Sequence, residues 1–244
     1  MFEYLEKLYK GSDRAFYENL ETKLQERKKC LLVTANPEIF SRALENKELH
    51  QLLLDEQIMI SPDGEGVVKA ARMLDYQIWG KIAGVDTVAK MVEYCARHQL
   101  SVYCYGTRQE VLDALQSKWQ QAYPELQIVG MKNGFDNKED AVFEDMVKQQ
   151  PDLILVALGV PKQELAVYHH LKQFQKGLFI GVGGSLDVLS GTKKRAPAIL
   201  IKCKLEWLYR LMKEPKRIKK FYQTHVLFLF KLGKLKKQKT HDKK

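Results

Sequence analysis

Six short apolar runs constrain the fold of this chain more than any other feature; they lie at 30–33, 57–60, 102–105, 127–129, 153–157 and 178–181. Runs of this length are typical of buried strands rather than helices. Most are followed by a loop and then by apolar residues at helical spacing, as over 108–122 after the third run. This alternation predicts an α/β fold, a mostly parallel, Rossmann-like sheet covered by helices on both faces.

The chain changes character after residue 195. Apolar residues recur at helical spacing over 198–212, Pro215 interrupts them, and 216–236 resumes as a second basic, aromatic helix. From residue 193 onward 18 basic residues stand against 3 acidic ones, a balance of +15 that leaves −5 for the rest of a chain of net charge +10. We predict an α/β core over 1–195 and a basic amphipathic helical appendage over 196–244, with 235–244 disordered.

The sequence favours a cytoplasmic protein. Its first residues are charged throughout, without the apolar stretch of a signal peptide, and the apolar runs near the other end are too short to span a bilayer. Cys30, Cys95, Cys104 and Cys203 lack CxxC spacing, so we expect buried thiols in a reducing compartment rather than metal ligands. The histidines include no HExxH pair, and the sequence predicts no metal site.

The run 153–157 leads directly into polar chemistry. Gly159 allows close approach of the backbone, and Lys162 and Gln163 open a predicted helix in the segment Pro161-Lys-Gln-Glu164. Open α/β sheets bind ligands at the carboxyl ends of their strands. A lysine there can meet a phosphate and a glutamine can both donate and accept hydrogen bonds, so this segment is a candidate site.

Short motifs, rich in polar residues, glycine and proline, lie along most of the chain. They are Thr34-Ala-Asn36-Pro-Glu38, Pro62-Asp63-Gly64-Glu-Gly66-Val-Val, Gly84-Val-Asp86, Tyr123-Pro124, Asn133-Gly134-Phe135, Pro161-Lys-Gln-Glu164, Gly181-Val-Gly-Gly184-Ser-Leu-Asp187, Arg195-Ala-Pro197 and Glu206-Trp-Leu-Tyr-Arg210. In order and spacing over 30–220 the chain resembles the WecG/TagA/CpsF glycosyltransferases of family 26, and most of all their TagA/TarA branch. The resemblance implies transfer of N-acetylmannosamine from UDP to the 4-hydroxyl of undecaprenyl-diphosphate-linked N-acetylglucosamine, toward the wall teichoic acid linkage unit. It also implies metal independence and no cofactor, since the UDP-sugar is a substrate.

Asp63 follows the second apolar run, between Pro62 and Gly64, and precedes a helical pattern that starts near Gly66. Its position matches the proposed general base of the family. Direct attack by a sugar hydroxyl on the anomeric carbon inverts that centre, and a single base is enough to remove the proton of the hydroxyl. The alternative is an ordinary helix N-cap.

The resemblance also assigns substrate contacts. Thr34 and Asn36 match sugar-binding positions, although a turn followed by an N-cap explains them equally well. Gln163 matches a contact to the donor sugar or diphosphate. Four cations would meet the diphosphate, or else lie solvated on amphipathic helices: Lys81, Arg210, Arg217 and Lys220. Lys81 and Lys220 stand where the family usually has arginine. Lysine keeps the positive charge of arginine but lacks its bidentate hydrogen-bonding fork.

A nucleotide site is expected at the ends of the later strands. Its candidate residues are Gly106, Thr107, Gly134, Phe135, Lys162, Gly181, Gly183 and Gly184. Turn geometry explains the glycines equally well. The cluster after residue 181 does not fit GxGxxG, and no DxD pair is available to hold a divalent metal on the diphosphate.

Partners follow from the same features. We expect a UDP-sugar donor, a polyprenyl-diphosphate-linked acceptor, peripheral attachment to the anionic inner face of the cell membrane, a possible homo-oligomer and no nucleic acid. Within the family, the alternative is another UDP-sugar, such as N-acetylmannosamine uronate or glucose, for capsule or exopolysaccharide. From another class, the basic residues around Trp207, Tyr209, Phe221 and Tyr222 also fit a nucleic-acid-binding protein.

Overall fold

The computed structural model describes residues 3–230 and 232–234, without the side chains of Arg217 and Lys220. Within them, six parallel strands form one sheet in the order β2-β1-β6-β5-β3-β4. The strands are β1 Cys30–Ala35, β2 Ile58–Pro62, β3 Ser101–Gly106, β4 Gln127–Lys132, β5 Leu153–Ala157 and β6 Leu178–Gly181. All six predicted strands and the mostly parallel Rossmann-like class are confirmed.

Helices connect the strands and cover both faces of the sheet. They are α1 Asp13–Gln25, α2 Pro37–Ala43, α3 Lys47–Leu54, α4 Glu65–Met73, α5 Gly84–Arg97, α6 Gln109–Ala122, α7 Glu139–Gln149, α8 Lys162–His170 and α9 Ser185–Ser190. Alternate strand residues enter different cores: Leu31 and Val33 pack with α2, α3, α4, α7 and α8, whereas Cys30 and Leu32 pack with α1, α5, α6 and α9. Strands buried on both faces explain why the sequence shows continuous apolar runs.

The predicted single helix over 198–212 is wrong. The structure has α10 Ala198–Lys202 and α11 Glu206–Lys213, separated by a turn in which Lys204 adopts a left-handed φ of 61°. The N–H of Leu205 donates to the carbonyl of Leu200 at 2.8 Å and that of Lys204 to Ile201 at 3.0 Å. These are the two bonds of a Schellman C-cap, with lysine where glycine is usual.

Beyond Pro215 the described chain is helical again. A 3-10 turn, Pro215–Arg217, leads into α12 Ile218–Phe221 and a π-helical turn, Tyr222–Val226. The ring of Phe228 stacks on Phe40 of α2 with 5.9 Å between centroids, and Ser41 Oγ donates to the Thr224 carbonyl at 2.9 Å. The division into two domains at 195 stays a prediction, and the predicted disorder of 235–244 lies outside the described residues.

The cysteine prediction is correct at three positions and wrong at the fourth. Cys30, Cys95 and Cys104 are buried thiols, whereas Cys203 is exposed. Cys203 is the C-cap of α10, a helix of which no residue is buried. Within the described ranges, no helix is both long and apolar enough to cross a membrane.

Candidate active site

Asp63 lies at the carboxyl edge of the sheet, directly after β2. Its N–H donates to the carbonyl of Ala35 at 2.7 Å. The N-cap of α4 is Gly64, so the N-cap alternative for Asp63 does not hold there. The carboxylate instead lies against Gly84, the first residue of α5, whose backbone N–H lowers the pKa of Asp63. A helix N-terminus therefore faces the carboxylate, but it belongs to α5 rather than to the helix that follows Asp63 in sequence.

The ends of β1, β2 and β6 meet at this point. Thr34 Oγ1 donates to the carbonyl of Gly181 at 2.8 Å. A Cβ on Gly84 would lie 3.2 Å from Asp63 Oδ2 and 3.4 Å from Thr34 Cβ, which is tighter than usual. Glycine at the start of α5 thus allows the helix to press against both polar side chains.

The pKa of Asp63 is raised above its ordinary value. Burial of the carboxylate is the main cause, and the negative charge of Glu206 adds to it. The positive charges of Lys81 and Arg210 and the N–H of Gly84 act in the opposite direction without cancelling the shift. A carboxylate with a raised pKa is a stronger base for the proton of a sugar hydroxyl.

Lys81 and Arg210 meet at Glu206, the first residue of α11. Lys81 Nζ lies 2.8 Å from Glu206 Oε2, and Arg210 Nη2 lies 2.6 Å from Glu206 Oε1. Burial would raise the pKa of Glu206, but the bonds from Lys81 and Arg210 prevail and lower it. Two of the four predicted diphosphate-binding cations therefore lie together beside Asp63, held by one ionised carboxylate.

A second ion pair joins α5 to the segment before α10. Arg195 Nη1 and Nη2 donate to the two carboxylate oxygens of Asp86 at 2.5 and 2.8 Å. Sequence reasoning assigned no role to Arg195, Asp86 or Glu206. The available signal was their presence in the motifs that carry the resemblance, together with the i, i+4 spacing of Glu206 and Arg210.

Two of the predicted sugar-binding residues make structural contacts. Asn36 is the N-cap of α2, and its Oδ1 accepts the N–H groups of Glu38 and Ile39 at 2.9 and 3.2 Å. Gln163 is 2% exposed, and its Oε1 accepts the N–H groups of Gly159 at 3.1 Å and Gly183 at 3.0 Å. Contacts of either side chain to a sugar stay predictions.

Four of the predicted nucleotide-binding residues lie together at the ends of β3 and β4. The N–H of Thr107 donates to the Ala157 carbonyl at 2.9 Å, and the N–H of Gly134 to the Thr107 carbonyl at 3.1 Å. A Cβ on Gly106 would lie 2.4 Å from the Ala157 carbonyl oxygen, so only glycine fits there. Phe135 is 75% exposed and presents an uncovered ring beside these turns.

The remaining candidates are more scattered. Gly181 ends β6, Gly183 is bonded to Gln163 and Gly184 is the N-cap of α9. Lys162 Nζ lies 4.0 Å from a carboxylate oxygen of Glu139 on α7. The side chains of Arg217 and Lys220 lie outside the described part of the structure, so their predicted diphosphate contacts stay predictions. No group of three His, Cys, Asp or Glu side chains suited to a metal ion is found in the described residues.

The fold is a parallel α/β sheet with a carboxylate and two paired cations at its carboxyl edge. The family model described as "Glycosyl transferase WecG/TagA/CpsF family" matches residues 8–242. The chain belongs to this family of glycosyltransferases, as the motifs indicated.

Similar curated proteins are named N-acetylglucosaminyldiphosphoundecaprenol N-acetyl-beta-D-mannosaminyltransferase. One from Bacillus subtilis (strain 168) is 32% identical over 86% of this chain and 82% of its own length. Another from Staphylococcus aureus (strain MW2) is 33% identical over 91% of this chain and 87% of its own length. The similarity therefore covers both the sheet and much of the basic C-terminal segment.

Proposed function

We propose that this chain is an inverting transferase that moves N-acetylmannosamine from UDP-N-acetylmannosamine to the 4-hydroxyl of N-acetylglucosaminyldiphosphoundecaprenol. The observation that carries the proposal is the grouping of the Asp63 carboxylate with Lys81 and Arg210 at the carboxyl edge of the sheet. It combines a base for the acceptor with positive charge for a leaving diphosphate. The names of the relatives supply the donor sugar and the lipid acceptor.

The transfer is a single displacement. The acceptor hydroxyl oxygen forms a bond to the anomeric carbon while the bond from that carbon to the UDP oxygen breaks. Asp63 takes the hydroxyl proton, and UDP leaves with the electron pair. A well-placed base contributes about 10²- to 10⁴-fold to the rate. Attack opposite the leaving group converts an α-linked donor into a β-linked product.

The leaving diphosphate requires positive charge. Lys81 and Arg210 are paired with the Glu206 carboxylate, so we expect the diphosphate to compete with that carboxylate for the two cations. Arg217 and Lys220, which follow Arg210 in the same segment, would add further charge. Cations and backbone N–H groups then replace the divalent metal of DxD transferases.

The donor nucleotide and the lipid acceptor have separate candidate surfaces. The exposed ring of Phe135 beside Gly106, Thr107 and Gly134 suits stacking of uracil. On the basic C-terminal segment, exposed apolar side chains such as Ile199, Met212 and Ile218 suit contact with a membrane surface. The enzyme would then act at the membrane face that holds its acceptor.

The test is a transfer assay with the full-length protein and a short-chain lipid-diphosphate N-acetylglucosamine acceptor. We expect product with UDP-N-acetylmannosamine, a β-linkage by NMR, and unchanged activity in EDTA. Parallel reactions with UDP-glucose, UDP-N-acetylglucosamine and UDP-N-acetylmannosamine uronate test the alternative donors. A preference for one of these three UDP-sugars would identify it as the donor in place of UDP-N-acetylmannosamine. If EDTA abolished activity and Mg²⁺ restored it, the proposal of metal independence would be overturned.

The Asp63→Asn variant tests the base. It should lower kcat by about two to four orders of magnitude and leave UDP affinity within a few-fold of wild type, because the amide keeps the shape of the side chain. Asp145→Asn is the matched control, since Asp145 accepts a hydrogen bond from Tyr103 outside the site. A near-normal kcat for Asp63→Asn would remove Asp63 from the mechanism.

A further inference from the structure

Gln163 and Glu164 form a buried polar pair at the start of α8. They are 2% and 1% exposed, and Gln163 Nε2 donates to Glu164 Oε1 at 2.7 Å. The other carboxylate oxygen, Oε2, is buried without a hydrogen-bond partner among the described residues. A buried carboxyl oxygen without a hydrogen-bond partner lowers the stability of the fold. A favourable role for Glu164 therefore depends on its other oxygen, Oε1, which is bonded to Gln163.

The bonded oxygen fixes the orientation of the Gln163 amide. Gln163 Oε1 accepts two backbone N–H groups, from Gly159 at 3.1 Å and Gly183 at 3.0 Å. Rotating the amide by half a turn would point its NH₂ group at those two donors. Glu164 Oε1 accepts from this NH₂ group whether the carboxyl group is ionised or carries its proton on Oε2. Glu164 therefore holds the NH₂ group on its own side and leaves the amide oxygen facing the glycines.

This orientation determines where two strand-end loops lie. Gly159 belongs to the loop after β5 and Gly183 to the loop after β6, and both have left-handed φ values, 79° and 47°. The pair also packs against Gly181, where a Cβ would lie 2.8 Å from Gln163 Nε2 and 3.0 Å from Glu164 Oε1. The carbonyl of Gly181 in turn accepts the Thr34 hydroxyl, beside Asp63.

We propose that Glu164 is a positioning residue for the donor. Acting through the Gln163 amide, it holds the loops after β5 and β6 in the arrangement that binds the uridine diphosphate moiety next to Asp63. The identity of the donor rests on the proposed function, whereas the effect of Glu164 on the two loops does not.

The first experiment compares Glu164→Gln, which keeps an acceptor oxygen, with Glu164→Leu, which removes it. Amide hydrogen exchange at Gly159 and Gly183 should accelerate at least about tenfold in Glu164→Leu and change little in Glu164→Gln, because only the leucine releases the Gln163 amide. UDP affinity by calorimetry should fall at least about tenfold in Glu164→Leu and stay within about threefold in Glu164→Gln.

A double-mutant cycle tests whether the effect passes through Gln163. With Gln163→Ala already present, Glu164→Leu should cause no further loss of UDP affinity, because the amide it orients is gone. Asp152→Ala is the control for loss of a buried carboxylate, since Asp152 pairs with Ser101 and Lys176 at the opposite edge of the sheet. It should lower the melting temperature without changing UDP affinity.

A reciprocal exchange covers the case in which Glu164→Leu does not fold. Gln163→Glu alone places two carboxylates in contact and should weaken UDP binding, and adding Glu164→Gln should restore it by supplying a new NH₂ donor. The proposal would be overturned by equal amide hydrogen exchange rates at Gly159 and Gly183 in wild type and Glu164→Leu. It would also be overturned by additive losses of UDP affinity in the double-mutant cycle, or by failure of Glu164→Gln to restore UDP binding to Gln163→Glu. If Glu164→Leu accelerates amide hydrogen exchange at Gly159 and Gly183 but the wild-type protein does not bind UDP, the proposed function fails and the effect of Glu164 on the two loops stands.

Discussion

At the scale of single residues, opposing effects set the chemistry of Asp63. Burial raises its pKa, whereas Lys81, Arg210 and the N–H of Gly84 lower it. The sequence could place a carboxylate after a strand, because Pro62 and Gly64 indicate a loop there. It could not show that Gly84, 21 positions further on, would pack against that carboxylate. Such contacts depend on how α5 packs on the sheet, which no local pattern encodes.

The raised pKa of Asp63 predicts the position of the acid limb of kcat/KM. A base works only when ionised, so activity should rise with pH through a pKa above the usual 3.9 or so of aspartate. Lys81→Met removes a charge that lowers this pKa, so the limb should move to higher pH. Lys148→Met, an exposed lysine on α7, should leave the limb in place. A limb that stays put in Lys81→Met would show that Asp63 is not the titrating base.

Glu164 predicts a pH dependence of stability. Burial raises its pKa from 4.5 to about 7. The folded state therefore binds this proton more tightly, and the stability it contributes is complete below 4.5 and lost as pH rises through 7. The shift corresponds to about 3 kcal/mol at most.

The Glu164→Gln variant removes this titration. Urea unfolding between pH 4.5 and 8 should show a flatter dependence of the unfolding free energy on pH than in wild type, with the largest gain relative to wild type at pH 8. An unchanged pH dependence would mean that Glu164 titrates near its ordinary pKa in the folded protein.

At the scale of elements, α11 connects the C-terminal segment to the site. Its first residue, Glu206, pairs with Lys81 from 125 positions earlier, and Arg210 follows one turn later. Helical periodicity predicted an amphipathic segment here and missed the break at Lys204. That break depends on Lys204 adopting a left-handed backbone conformation. The Cβ atom of a lysine disfavours this conformation, and the two C-cap hydrogen bonds stabilise it.

A chain ending at residue 195 tests what this segment contributes. It lacks Glu206 and Arg210 and exposes the face of α2 that Phe228 covers. We expect a lower melting temperature and a loss of turnover of at least about 100-fold with a soluble acceptor, because a cation of the diphosphate site is missing. A chain ending at 234 is the control and should keep its turnover. Full turnover of the shorter chain would make the segment an anchor only.

At the scale of the whole molecule, the parallel sheet brings distant motifs to one edge. Six apolar runs were sufficient to predict the strands and therefore the edge at which their polar ends gather. The order β2-β1-β6-β5-β3-β4 was not predictable from the runs, because any parallel order buries them equally well. That order places the loops after β5 and β6 beside Thr34, so the partners of Gln163 became visible only in the structure.

The uneven charge of the molecule predicts how it meets its lipid acceptor. The chain from residue 193 onward carries +15 and the rest −5. Each Lys or Arg near an anionic leaflet contributes about 1 kcal/mol. Exposed apolar side chains on the same segment, such as Met212 at 73% and Ile218 at 55%, can enter the interface.

We therefore expect the protein to sediment with phosphatidylglycerol vesicles, to bind phosphatidylcholine vesicles weakly, and to be released by high salt. The double variant Met212→Ser/Ile218→Ser should bind vesicles less tightly while keeping its turnover with a soluble acceptor, because neither side chain carries charge to the diphosphate. Equal binding of the variant would leave charge alone as the attachment. Tighter binding to RNA than to anionic vesicles at the same salt concentration would contradict membrane attachment as the role of the basic segment.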